Sequence, residues 1–102
     1  MNLMAEEIIL KGKDAFSVAK DVARVLQQGG FYRGEVQFGP IYHGHPDKVP
    51  LDGYMIHDRT HPNIFGSPEL AYVKRLPEGC SVELTGIPQG RIADFYKGLL
   101  QL

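Results

Sequence analysis

Ala15, Ala19, Val22, Ala23 and Leu26 recur at three- and four-residue spacing, with Phe16 and Val25 flanking them. Lys13, Lys20, Asp21, Arg24, Gln27 and Gln28 fall mainly on the opposite side. The segment therefore predicts a helix from about 14 to 28 with a single apolar stripe. Such a stripe cannot bury itself and needs a second layer to cover it. Asp14 is the expected N-cap, because its carboxylate can accept a bond from an unpaired amide of the first turn. Gly29-Gly30 supplies a left-handed stop that only glycine adopts cheaply.

The second layer must come from β-patterned runs. Glu6 to Lys11 is a short β-branched segment ended by Gly12. Phe31 to Phe38 alternates Tyr32, Val36 and Phe38 with Arg33, Glu35 and Gln37, which predicts a half-buried strand. Gly39-Pro40 interrupts this run, and Ile41-Tyr42-His43 is its continuation beyond a bulge or bend. Residues 45–53 read as loop by composition, and Tyr54 to His57 as a short strand. Leu70–Leu76 and Ser81–Thr85 flank Pro77-Glu78-Gly79-Cys80 and predict a hairpin. Ser67 and Pro68 leave a short helix over 68–73 as the alternative. Arg91–Leu100 closes the chain as a helix, with Ile92, Phe95, Leu99 and Leu102 on one face.

The expected fold is an α+β two-layer sandwich: a mixed, mostly antiparallel sheet with a long N-terminal helix and a C-terminal helix on one face. Its core comprises Ile8, Leu10, Phe16, Ala19, Val22, Leu26, Val36, Phe38, Val73, Val82, Leu84, Ile92, Phe95 and Leu99. A length of 102 residues fits one domain. A formal net charge of −1 argues against a dedicated nucleic-acid binder, which needs a basic footprint. No apolar run approaches a membrane span, and the first residues lack the pattern of a secretory signal. Cys80 is the single cysteine, which excludes an internal disulfide and fits a reducing cytoplasm.

The region 39–68 differs in character, being rich in Pro, Gly, His and Asp, as loops that carry function often are. All four histidines lie between His43 and His61. His43 and His45 are two apart and share a side if the backbone is extended. His43, His45, Asp47, His57 and His61 thus form a candidate ligand set for a divalent transition metal, since imidazole with carboxylate suits zinc, iron, nickel or manganese. The same histidines fit ordinary turns. His45-Pro46-Asp47 and His61-Pro62-Asn63 share one grammar, in which proline extends the residue before it and Asp or Asn after it favours a type I turn. Tyr42, His43, Asp58 and Arg59 are the candidates for binding a ligand without metal.

Tyr42-His43-Gly44, followed by Phe65-Gly66-Ser67-Pro68-Glu69-Leu70-Ala71-Tyr72, resembles ADP-ribosyltransferases. The resemblance implies NAD binding, with His43 at the nicotinamide-side ribose, Phe65 and Ser67 in the second element, and Glu83 as the acidic member. His45 stands where that family has Thr or Ser.

Other short motifs carry less. Lys11-Gly12-Lys13 lies before a helix N-terminus, where anions are favoured, but the phosphate-loop pattern is absent. Phe31, Tyr32 and Arg33 suggest a base-stacking strand, without the motif of RNA-recognition domains.

The leading functional expectation is a non-enzymatic binding or interaction module that uses 39–68 to recognise a protein partner or small ligand, with a homodimer open. A metal-binding protein or metal-dependent enzyme is the first alternative, and an NAD-binding transferase the second.

Overall fold

The computed structural model describes residues 7–42, 51–58 and 69–101. Strand β1 (Glu7–Lys11) leads into helix α1 (Ala15–Gln28), followed by β2 (Val36–Tyr42), β3 (Leu51–Asp58), β4 (Glu69–Leu76) and β5 (Gly79–Leu84). A 3-10 turn (Gln89–Arg91) then runs into helix α2 (Ile92–Leu100). The five strands form one sheet in the order β1-β5-β4-β3-β2, and every neighbouring pair is antiparallel. Both helices pack against one face, so the fold is α+β as expected, with a wholly antiparallel sheet among the described residues. None of the helices described is long and apolar enough to cross a membrane.

Helix α1 forms where its stripe predicts. Asp14 Oδ2 accepts from the Ser17 amide at 3.0 Å and caps the first turn. That carboxylate already occupies the helix N-terminus, and the Gly12 amide donates to the Glu78 carbonyl at 2.7 Å. Gly30 takes the left-handed conformation at φ +75°, after which the chain turns back toward the sheet.

Alternation along the strands then defines the helix-facing side. Ile8 and Leu10 of β1, Cys80, Val82 and Leu84 of β5, Ala71 and Val73 of β4, Tyr54 and Ile56 of β3, and Val36 and Phe38 of β2 meet in register on this face. Val22, Leu26, Ile56, Val73, Val82 and Phe95 are fully buried at its centre.

The structure corrects the sequence reading at several places. Phe31–Glu35 is not strand: the Phe31 and Tyr32 amides both donate to the Leu26 carbonyl, which holds the segment as a loop beneath α1. Gly39-Pro40 lies inside β2 rather than breaking it, because β2 is an edge strand and Pro40 sits where no ladder donor is needed. Leu51–Gly53 belongs to β3, not to a loop. From Glu69 onward the chain is strand, which removes the helical alternative there. A bulge makes Leu70 an extra residue beside Ala71, so two consecutive apolar side chains are buried. Phe16 stays 46% exposed at the rim, whereas Val18 is buried. Cys80 is a fully buried residue of β5 rather than part of the turn, and burial, with the nearby Asp14 charge, pushes its thiol pKa up.

Phe95 stacks edge-on against Phe31 and Tyr96, with centroids 5.4 and 5.8 Å away. Phe95→Ala is expected to cost about 3–5 kcal/mol in urea unfolding. Asp14→Ala, which removes only a cap, should cost about 1 kcal/mol. Equal losses in the two variants would contradict this assignment of the core.

Candidate functional site

The loop from Gly29 to Glu35 decides how β2 sits against α1, and three side chains fix it. Gln27 Nε2 donates to the Gly34 carbonyl at 2.7 Å, while its Oε1 accepts from the Val36 amide at 2.8 Å. Arg91 stacks its guanidinium 4.2 Å from the Phe31 ring centroid and donates through Nη1 to the Gly30 carbonyl at 3.1 Å. The Tyr32 hydroxyl donates to Asp58 Oδ2. That bond, followed by burial, raises the Tyr32 pKa. Gly34 makes this approach feasible, since a Cβ there would lie 2.7 Å from both Asp58 Oδ2 and the Tyr32 ring.

Between this tethered edge and α1 lies an open groove of about 360 Å³, lined by Lys20, Ala23, Arg24, Gln27, Gln28, Val36 and Phe38. Val36 and Phe38 form an apolar floor. Lys20, Arg24 and the two glutamines rim it, and no carboxylate is among these lining residues. Asp21 reaches Arg24 only at 3.9 Å, an exposed pair that leaves the guanidinium largely free for other acceptors. At one end Phe16, Phe38 and Tyr54 form an edge-to-face trio, each centroid 5.7 Å from the next. Lys20 Nζ stands 5.5 Å above the Phe16 ring.

The strand edge beside the groove has a defined hydrogen-bonding pattern. Because the Val36 amide points to Gln27, alternation turns the main-chain groups of Val36, Phe38 and Pro40 away from β3. Gln27 occupies one of these donors and Pro40 lacks another. Among the described residues, Phe38 alone of the three presents both an unpaired outward N–H and a C=O.

The sequence candidates separate. His57 and Asp58 are adjacent in β3 and project to opposite faces of the sheet. Asp58 is buried beneath α1 with Tyr32, while His57 is buried on the other face beside Gln37, with its Nε2 3.4 Å from Gln37 Nε2. Among the described residues, His57 Nδ1 has no hydrogen-bond partner. Tyr42 ends β2 opposite Leu51. His43, His45, Asp47, Arg59, His61, Phe65 and Ser67 lie outside the described residues, and among the described residues no three potential ligands are grouped to hold a metal ion. Phe31 and Tyr32 are engaged with Phe95, Arg91 and Asp58 rather than displayed as a stacking platform.

On the face away from the helices, Tyr72 lies between two acids. Glu83 is its register partner on β5, and Glu69 bonds to it along β4. Burial, then Glu69, then the Glu83 charge push the Tyr72 pKa up to about 12.

The chain matches no protein-family model, no curated protein and no solved structure. Lys20, Arg24 and Gln27 were legible as the polar side of a helix, but nothing in their spacing singles them out as the wall of a groove.

Two expectations follow. Gly34→Ala should lower stability by about 1–3 kcal/mol, because Tyr32 or Asp58 must give way; urea unfolding checks this. Tyr72→Phe should abolish the latest phase of phenolate absorbance, near pH 12 instead of the usual 10. Since the folded chain holds that proton more tightly than the unfolded one, the stability Tyr72 contributes is complete below pH 10 and lost as pH rises toward 12.

Proposed function

We propose that the protein is a non-enzymatic binding module and that the groove between α1 and β2 receives an extended, acidic segment of a partner protein. The observation that carries this reading is the composition of the groove: an apolar floor of Val36 and Phe38 with Lys20 and Arg24 on the wall and, among the described residues, no lining carboxylate. An extended chain fits because β2 is an edge strand, and strand addition beside a helix is a recurring way to hold peptides. Gln27 and Pro40 limit that pairing to Phe38, so the main chain sets one register point and side chains carry the selectivity. Carboxylates on the incoming segment would meet Lys20 and Arg24. An aliphatic or aromatic residue would cover the exposed edge of Phe16 and the ring of Phe38.

This reading moves the recognition surface from the 39–68 region, most of which lies outside the described residues, to the groove beside β2, whose residues 39–42 begin that region. Most of the residues given roles in the metal and NAD alternatives lie outside those described; His57 and Glu83 are described. Both lie on the opposite face of the sheet from the groove.

The test is selection of peptides from a random display library on the immobilised chain. Enriched sequences should combine Asp or Glu with a bulky apolar residue and shift the amides of Lys20, Ala23 and Phe38 on titration. Lys20→Glu with Arg24→Glu should weaken the best peptide by about tenfold or more. Enrichment of basic peptides, or shifts confined to the other face of the sheet, would overturn the reading.

A further inference from the structure

The other edge of the sheet, β1, is built differently from β2. We propose that it pairs with β1 of a second copy of this chain, in antiparallel register about Ile9, so that two five-stranded sheets join into one.

The hydrogen-bond phase of β1 follows from its end. The Gly12 amide points inward to Glu78, so the register with β5 makes Leu10 and Ile8 the residues that bond to Cys80 and Val82. Glu7, Ile9 and Lys11 therefore turn their N–H and C=O groups to the open side. None of these three is proline, and among the described residues no strand or side chain covers them. The pattern contrasts with β2, where one outward donor is tied to Gln27 and the next alternate residue but one is Pro40.

The side chains supply the reason for choosing a second copy over any other strand. Antiparallel pairing of Glu7-Ile8-Ile9-Leu10-Lys11 with itself about Ile9 is self-complementary. Ile9 meets Ile9, and Glu7 of each copy faces Lys11 of the other. Opposite charges directly across an antiparallel pair are favourable, and like charges are not. Every other register about a residue of β1 loses at least one of these matches. On the face away from the helices, Ile9 is 54% exposed and would be covered by its own counterpart. On the helix face, Ile8 and Leu10 are only partly buried at the margin of the core, and the pairing sets Ile8 opposite Leu10 of the second copy. A two-fold contact of this kind is isologous and closes, so it ends at a dimer and not a fibre. One short strand per copy makes a small interface, which places the contact among weak, concentration-dependent associations.

The proposal is tested on the full chain by sedimentation across a concentration series, together with amide hydrogen exchange. Dimer should accumulate with concentration, and the Glu7, Ile9 and Lys11 amides should gain protection in step with it. The Ile8 and Leu10 amides should be protected at every concentration. Lys11→Glu should weaken association by about tenfold, since it opposes like charges at both ends of the pairing. Glu7→Lys combined with Lys11→Glu should restore it, because the reversed pair is again complementary. Ile9→Pro should abolish association while leaving the thermal midpoint near that of the parent, because the donor it removes faces away from β5. A monomer at all accessible concentrations would overturn the proposal. So would a dimer indifferent to the charge reversals, or one that protects Phe38 in place of Ile9.

Discussion

The structure depends on the burial of one helical stripe against the middle of one sheet. Ala19, Val22 and Leu26 are fully enclosed on α1, and Ile56, Ala71, Val73 and Val82 are fully enclosed on the three central strands beneath. Antiparallel order makes this contact continuous, because Ile56 is in register with Ala71 across β3 and β4, and Val73, two residues further on, is in register with Val82 across β4 and β5. Helix α2 completes the layer beside α1, and Phe95 ties it to the loop that follows α1 through its edge-on contact with Phe31. Everything peripheral, including both sheet edges and the loop from Gly29 to Glu35, is positioned by this central contact.

Two of the polar side chains that the fold encloses, Asp58 and His57, mark its periphery, not its centre. Asp58 is buried, but at the end of β3, where Tyr32 and the space left by Gly34 receive it. A carboxylate taken from water without such a partner would be costly, so the phenol and the missing side chain belong to one arrangement. Gln27 plays the corresponding part for main-chain groups, satisfying a carbonyl and an amide that lie on the edge of the sheet. These contacts hold β2 at a fixed distance from α1 and so give the groove its width. His57 contrasts with them: it is equally enclosed, yet among the described residues one ring nitrogen is unmatched, an uncommon condition for a buried polar atom.

Much of this was legible in the sequence because the relevant signals are local. The α1 stripe, its Asp14 cap and the α2 face follow from spacing within one element, and the hairpin about Pro77 and Glu78 from one short turn. The signals that misled depend on neighbours far along the chain. Tyr32 has the parity of Val36 and Phe38, yet its hydroxyl is drawn to Asp58 and its segment never becomes strand. Pro40 reads as a breaker until β2 is known to lie at an edge. Leu70 and Ala71 spoil period two because a bulge buries both. The groove was illegible for a related reason: its wall comes from the polar side of α1 and its floor from β2. Neither carries a pattern that announces the other.

The order of the strands also separates the two edges in space. With neighbouring strands about 4.8 Å apart, β1 and β2 lie about 19 Å from each other across the sheet. On the readings proposed above, a second copy on β1 would leave the groove beside β2 unobstructed, and the two-fold would place one groove at each far end of the joined sheet. The charge arrangement fits this division. Glu7 and Lys11 neutralise each other within the pairing and leave it self-sufficient, whereas Lys20 and Arg24 need acceptors from elsewhere. An acidic partner carrying two such segments would then bind the pair of grooves with an effective local concentration that neither groove has alone. Weak self-association and modest groove affinity are therefore compatible with a strong combined grip, provided that the partner's linker spans the joined sheet.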